Sequence, residues 1–239
     1  MLSIFIMAVD IIDYEIKGES LQLVEIELDP AEGVRAEAGA MTYMEQGIEM
    51  QTTTGGGAWK GFKRMLTGES FMITTFFNQG TGKARVAFAA PYPGQVIPLN
   101  LTELGGEFLC QSSSFLCAAN GIDIEIAFTK KVGAGFFGGE GFILQKLQGN
   151  GLAFVHAGGT IIEKNLAEGE ELRVETGAVV GFSTSIKYDI EMVGGMKNIV
   201  FGGEGLFLTK LIGPGLVYIQ SLPLSSLARK IVAAAPVSN

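Results

Sequence analysis

The chain has 239 residues, of which 47% are apolar and only 18% charged, and its formal net charge is −8. That acidic excess repels phosphate backbones and anionic headgroups, which argues against bulk nucleic-acid binding. A single histidine, His156, and two cysteines cannot supply a histidine-based metal cluster within one chain.

Taken in order, residues 1–12 (MLSIFIMAVDII) are apolar, lack a basic flank and a small-residue cleavage site, and are too short to cross a bilayer. They read as a buried first strand. Glu37-Ala38-Gly39-Ala40 and Ile48 follow, then a loop mixing basic and apolar residues, Trp59 to Leu66. Gly68-Glu69-Ser70-Phe71 next opens an apolar run that ends in Gly80-Thr81-Gly82, a turn signal of the kind that joins hairpin strands. Pro91-Tyr92-Pro93-Gly94 reads as a loop insertion. Cys110 and Cys117 are placed for no local disulfide, and two free thiols fit a reducing, cytoplasmic location.

The same order of signals then returns. Gln111-Ser112-Ser113-Ser114, Ile122, the basic loop Lys130 to Phe137, Gly139-Glu140-Gly141-Phe142 and Gly149-Asn150-Gly151 form a second copy. Glu175-Thr176-Gly177-Ala178, Ile186, Met196 to Phe201, Gly203-Glu204-Gly205-Leu206 and Gly213-Pro214-Gly215 form a third. Within them Ile122 to Phe128 and Ile186 to Met192 alternate apolar and polar residues, the mark of half-buried strands. Each copy holds about four strands. Only Leu222 to Ala235 has helical spacing, with Pro223 near its first turn and Leu224, Leu227 and Ile231 on one stripe. The expected fold is therefore all-β: three tandem β repeats, at 1–95, 96–160 and 161–239, with a short C-terminal helix.

Two sets of residues recur as candidate sites. Glu69, Glu140 and Glu204 each stand after a glycine and before an apolar strand, where a carboxylate either accepts backbone N–H bonds in the turn or lines a ligand site between repeats. The loops before them carry Trp59, Lys60, Phe62, Lys63 and Arg64, then Lys130, Lys131 and Phe136, then Lys197. These positions either pack beneath solvated lysines or form a basic-edged apolar face for a peripheral membrane or protein partner. No nucleophile stands at a recognised spacing from His156, and no glycine-rich loop has the phosphate-binding pattern, so neither an enzyme nor a cofactor is expected.

With AFAAPYPGQVIPL, FGGEGFILQKLQGNGLAFVHAGGT and FGGEGLFLTKLIGPGLVYIQSLP in view, the chain closely resembles the mitochondrial biogenesis family, also called altered inheritance of mitochondria protein twenty-four. The resemblance runs from about Tyr14 to Leu227. It implies a fold like the trp RNA-binding attenuation protein, with three β-sandwich-like units of the short double-stranded β-helix type and chains arranged as a ring-like trimer. It supplies no catalytic residues. Together these readings point to a non-enzymatic assembly or scaffold protein, with a small-molecule-binding module using clefts between repeats as the alternative. If the repeated glutamates serve their turns, Glu140→Gln and Glu204→Gln should each lower the melting temperature, a loss of about 1.5–3 kcal/mol. An unchanged melt with loss of a retained ligand would assign them to binding.

Overall fold

The computed structural model describes residues 9–52, 73–90, 92–130, 142–193 and 206–234. After β1 (Asp13–Lys17) come β2 (Leu23–Leu28), β3 (Gly33–Glu37), β4 (Met41–Met44), β5 (Ile48–Thr52), β6 (Ile73–Asn78) and β7 (Ala84–Ala89). The next stretch holds β8 (Gly94–Asn100), β9 (Glu107–Gln111), β10 (Phe115–Ala119), β11 (Asp123–Lys130), β12 (Phe142–Gln148) and β13 (Leu152–Gly158). The last holds β14 (Ile161–Leu166), β15 (Glu171–Glu175), β16 (Val179–Ser183), β17 (Lys187–Val193), β18 (Leu206–Ile212) and β19 (Gly215–Gln220), then helix α1 (Leu224–Ala234). The fold is all-β with one short C-terminal helix. Among the described residues the first stretch carries seven strands and the other two six each, where the sequence pattern shows about four, because the short strands flanking each corner leave little periodicity to read.

The recurring sequence segments have a common local structure. Single 3₁₀ turns at Ala38–Ala40, Ser112–Ser114 and Thr176–Ala178 join β3 to β4, β9 to β10 and β15 to β16. The isoleucines beyond these corners close identical turns: Ile48 N–H donates to Glu45 O, Ile122 N–H to Ala119 O and Ile186 N–H to Ser183 O. All three isoleucine side chains are buried.

The strands form four antiparallel sheets, ordered β1-β2-β7-β4, β5-β6-β3-β10-β13-β8, β11-β12-β9-β16-β19-β14 and β15-β18-β17. This order corrects the reading of the Gly-x-Gly segments. They do not close hairpins: β6 and β7, β12 and β13, and β18 and β19 each lie in different sheets, so the glycines carry the chain across the core. The reason is burial on both faces. A hairpin exposed on one side alternates, whereas β12 and β13 are buried over most of their length, β12 even at Gln145, and pair in separate layers.

The first described strand begins at Asp13, so residues 9–12 are not in a strand; of these Ile11 is exposed and Ile12 buried, and residues 1–8 of the expected first strand lie outside the described residues. Tyr92 and Pro93 lie in the loop that joins β7 to β8. Tyr92 is buried, and Gly94 opens β8 while its N–H donates to Ser20 O and its carbonyl accepts from Gln22 N–H.

One buried cluster is centred on Phe76, Phe88, Phe108 and Phe154, with Phe76 and Phe88 edge to face at 5.2 Å. A second gathers Phe142, Leu144, Phe182, Leu211 and Val217. Two strand junctions tie the stretches together. Where β10 meets β3, Cys117 lies opposite Ala36 and Ala118 opposite Arg35. Where β16 meets β9, Gly181 lies opposite Cys110 and Phe182 opposite Leu109.

The second junction is tight. A Cβ on Gly181 would sit 2.6 Å from Leu109 O and 2.6 Å from a Phe108 ring carbon, whereas one on Gly39 meets nothing within 4 Å. Gly181→Ala is therefore expected to destabilise the fold by about 1–3 kcal/mol, and Gly39→Ala to leave it nearly unchanged. Paired thermal melts check this, and equal melting temperatures would contradict the junction geometry.

Candidate functional site

Most residues singled out by the sequence pattern, namely Glu69, Glu140, Glu204, Trp59, Lys60, Phe62, Lys63, Arg64, Lys131, Phe136 and Lys197, lie outside the described residues. Lys130 closes β11, where its backbone lies opposite Phe142. Among the described residues no group of three His, Cys, Asp or Glu side chains is placed to hold a metal ion. Nor is any described helix long and apolar enough to cross a membrane.

His156 sits on β13, only 1% exposed, with its ring edge to face on Tyr92 at 4.6 Å. Gly94 makes room for it, since a Cβ there would lie 2.5 Å from the imidazole Cε1. Neither ring nitrogen has a hydrogen-bond partner. Burial holds its pKa down at about 4, so the ring is neutral near pH 7. The phenol of Tyr92 is pushed up to about 12, by burial first and by the Glu37 carboxylate second.

A comparison inside the chain shows what this place normally does. Phe115 lies opposite Val155 and Val179 opposite Ile219, so the next residues, His156 and Gln220, occupy matching positions beside the second and third corners. Gln220 is fully used: Oε1 accepts from Gly158 N–H at 2.8 Å and Nε2 donates to Gly177 O at 2.9 Å. Thr209 likewise donates to Thr176 Oγ1 at 3.2 Å. At the second corner the corresponding strands instead carry buried polar atoms without partners: Gln111 Oε1, Ser114 Oγ and Gln145 Oε1. Cys110 and Cys117 are both buried and unpaired, and burial pushes the Cys110 thiol up to about 12 and that of Cys117 upward too. Thiols held protonated in this way are poor nucleophiles.

The other distinctive feature is a pair of strand edges. β10 and β16, which follow the second and third corners, are buried almost throughout between two neighbours. β4 follows the first corner in the same way but lies at a sheet edge, with Tyr43 39% and Met44 40% exposed. β3 and β9 each pair with the strand that follows the next corner; β15, before the third corner, has β18 alone as its neighbour among the described strands. The face of the β1-β2-β7 region is different in kind. There Glu27 takes Lys83 at 2.8 Å and Arg85 at 2.7 Å on the solvated side, and Lys17 meets the buried Glu25 at 2.7 Å.

His156 yields a pH dependence. Its folded pKa lies below the ordinary histidine value, so the unfolded chain binds the proton more readily. The stability from a neutral ring is present above about pH 6.5 and falls as pH drops towards 4, by at most about 1.4 kcal/mol per pH unit. His156→Phe should flatten that part of the stability profile. Denaturant titrations between pH 4 and 7 test it, and identical slopes in both proteins would refute the assignment.

Comparisons with known proteins agree with this architecture. A crystal structure of a Streptococcus pyogenes protein superposes with a TM-score of 0.76, covering 94% of this chain and 100% of that one at 25% identity. An uncharacterized protein of Streptococcus pyogenes serotype M6 is 29% identical over 225 residues, covering 91% of this chain and 88% of its own length. The family model described as mitochondrial biogenesis AIM24 matches residues 14–222, and the chain belongs to that family.

Proposed function

We propose that the chain is a non-enzymatic assembly protein that builds a ring-like β trimer, with β15 of one copy pairing with β4 of the next. The observation that carries this reading is the unequal treatment of equivalent strands. Two junctions of one geometry are made inside the chain, and among the described strands the third is left as two open edges. Open edges attract other strands, and a head-to-tail contact repeated by rotation closes a ring. Joined in this way, β17-β18-β15 and β4-β7-β2-β1 make a third large sheet like the two already present.

The internal registers carry over to the seam. Tyr43 corresponds to Cys117 and Gly181, and Val174 to Ala36 and Cys110, so Tyr43 faces Val174 and Met44 faces Arg173. Three copies are the number that the family likeness to the trp RNA-binding attenuation protein implies. The exposed Tyr43 and Met44 supply apolar contact at the seam. The alternative, a small-molecule-binding module, draws on the unpartnered polar atoms around the second corner. Native mass spectrometry with a retained metabolite would favour it.

Glu45 N–H donates to Arg85 O on β7, so the Met44 N–H, one residue earlier on the strand, points to the open edge. Met44→Pro therefore removes an outward donor and spares the pairing within the chain. Light scattering at micromolar concentration should give three times the chain mass for the wild type and the chain mass for Met44→Pro, with matching circular dichroism. A stable wild-type monomer would sink the proposal.

A further inference from the structure

Helix α1 is amphipathic yet has no buried residue. Pro223 is buried and holds the first turn, accepting from Ser226 N–H and Leu227 N–H. Beyond Leu227 every described residue is exposed, including Ile231 at 61% and Val232 at 74%. An isolated helix of eleven residues is marginal in water, because its single nucleation cost is spread over too few bonds. Its stability has to come from packing, and among the described residues its apolar stripe of Leu224, Leu227 and Ile231 has little to pack on.

The position of α1 says what would cover it. The helix lies against the third corner, Thr176–Ala178, which continues directly from the open edge of β15. At the first internal junction, the matching corner has Glu37 close enough to Tyr92 to raise its pKa, and Tyr92 belongs to the loop that enters β8. His156 opposite Val96 and Ala89 opposite Leu23 make β2 the counterpart of β8. In the head-to-tail ring proposed above, the loop entering β2 of a neighbouring copy would therefore be the part that meets the third corner. That loop presents Leu21, 65% exposed.

We propose that α1 crosses the seam and packs its Leu224, Leu227 and Ile231 stripe on the next copy around Leu21, clasping the ring. This rests on the head-to-tail reading above and adds a contact to it. A lipid surface fits the helix less well. It carries only Arg229 and Lys230 as cations and no aromatic residue, on a chain whose net charge is −8.

The test mixes two single variants, Leu21→Cys and Ile231→Cys, refolded together and treated with a short bismaleimide; the native thiols are buried. Covalent dimers are expected from the mixture and not from either variant alone. Ile231→Asp should raise the concentration at which the assembly dissociates at least tenfold. Absence of cross-linking at the assembled mass would overturn the clasp and leave the head-to-tail ring standing. A monomeric wild type would instead sink the ring itself. Sedimentation of the wild type with anionic vesicles, lost in Ile231→Asp, would assign the stripe to lipid and overturn the clasp as well.

Discussion

Backbone hydrogen bonding at strand edges is the constraint on which this structure depends. A strand that ends at a corner and starts again in another sheet leaves a row of donors and acceptors that another strand has to satisfy. Inside the chain β3 meets that need with β10 and β9 meets it with β16. Because both junctions use one register, the two central sheets share one plan, and the two smaller sheets look like the separated halves of a third. Among the described strands, this chain thus makes two joints of one geometry and leaves the matching edges of β4 and β15 open.

Burial follows from the same plan. Strands that cross from sheet to sheet are covered on both sides, which is why the chain has so few charges and why Phe142, Phe154 and Phe182 are fully enclosed. Polar groups enter this interior mainly at the corners, with Asn78 beside the Gly80-Thr81-Gly82 segment and Glu25 beside Lys17 as further cases. Gln220 shows the satisfied form, bridging β13 and the third corner through two hydrogen bonds. His156 fills the matching place with an aromatic contact to Tyr92 and two nitrogens without partners. The corners have therefore diverged in chemistry while keeping one backbone geometry, and a neutral histidine is tolerated where a charged one would be costly.

These features fit the assembly reading proposed above. The protonated thiols of Cys110 and Cys117 are poor nucleophiles, and the outer charges on β1, β2 and β7 pair with one another. Among the described residues, what stands out is unpaired backbone on β4 and β15 and unpacked apolar surface on α1, both adjoining the open joint.

The sequence by itself determined the all-β class, the recurring corner segments, the half-buried strands at Ile122 to Phe128 and Ile186 to Met192, the C-terminal helix and the family. Each of these is written in local spacing, which a period of two, a helical stripe or a repeated glycine segment exposes directly. Only the tertiary structure decided that the Gly-x-Gly segments bridge sheets, that Tyr92 is buried on His156, and that β4 and β15 are edges. Those outcomes rest on which strand lies beside which. Pairing between residues as distant as Ala36 and Cys117 is set by long-range packing, and an apolar strand reads the same whether its neighbour is the next strand or one in another sheet.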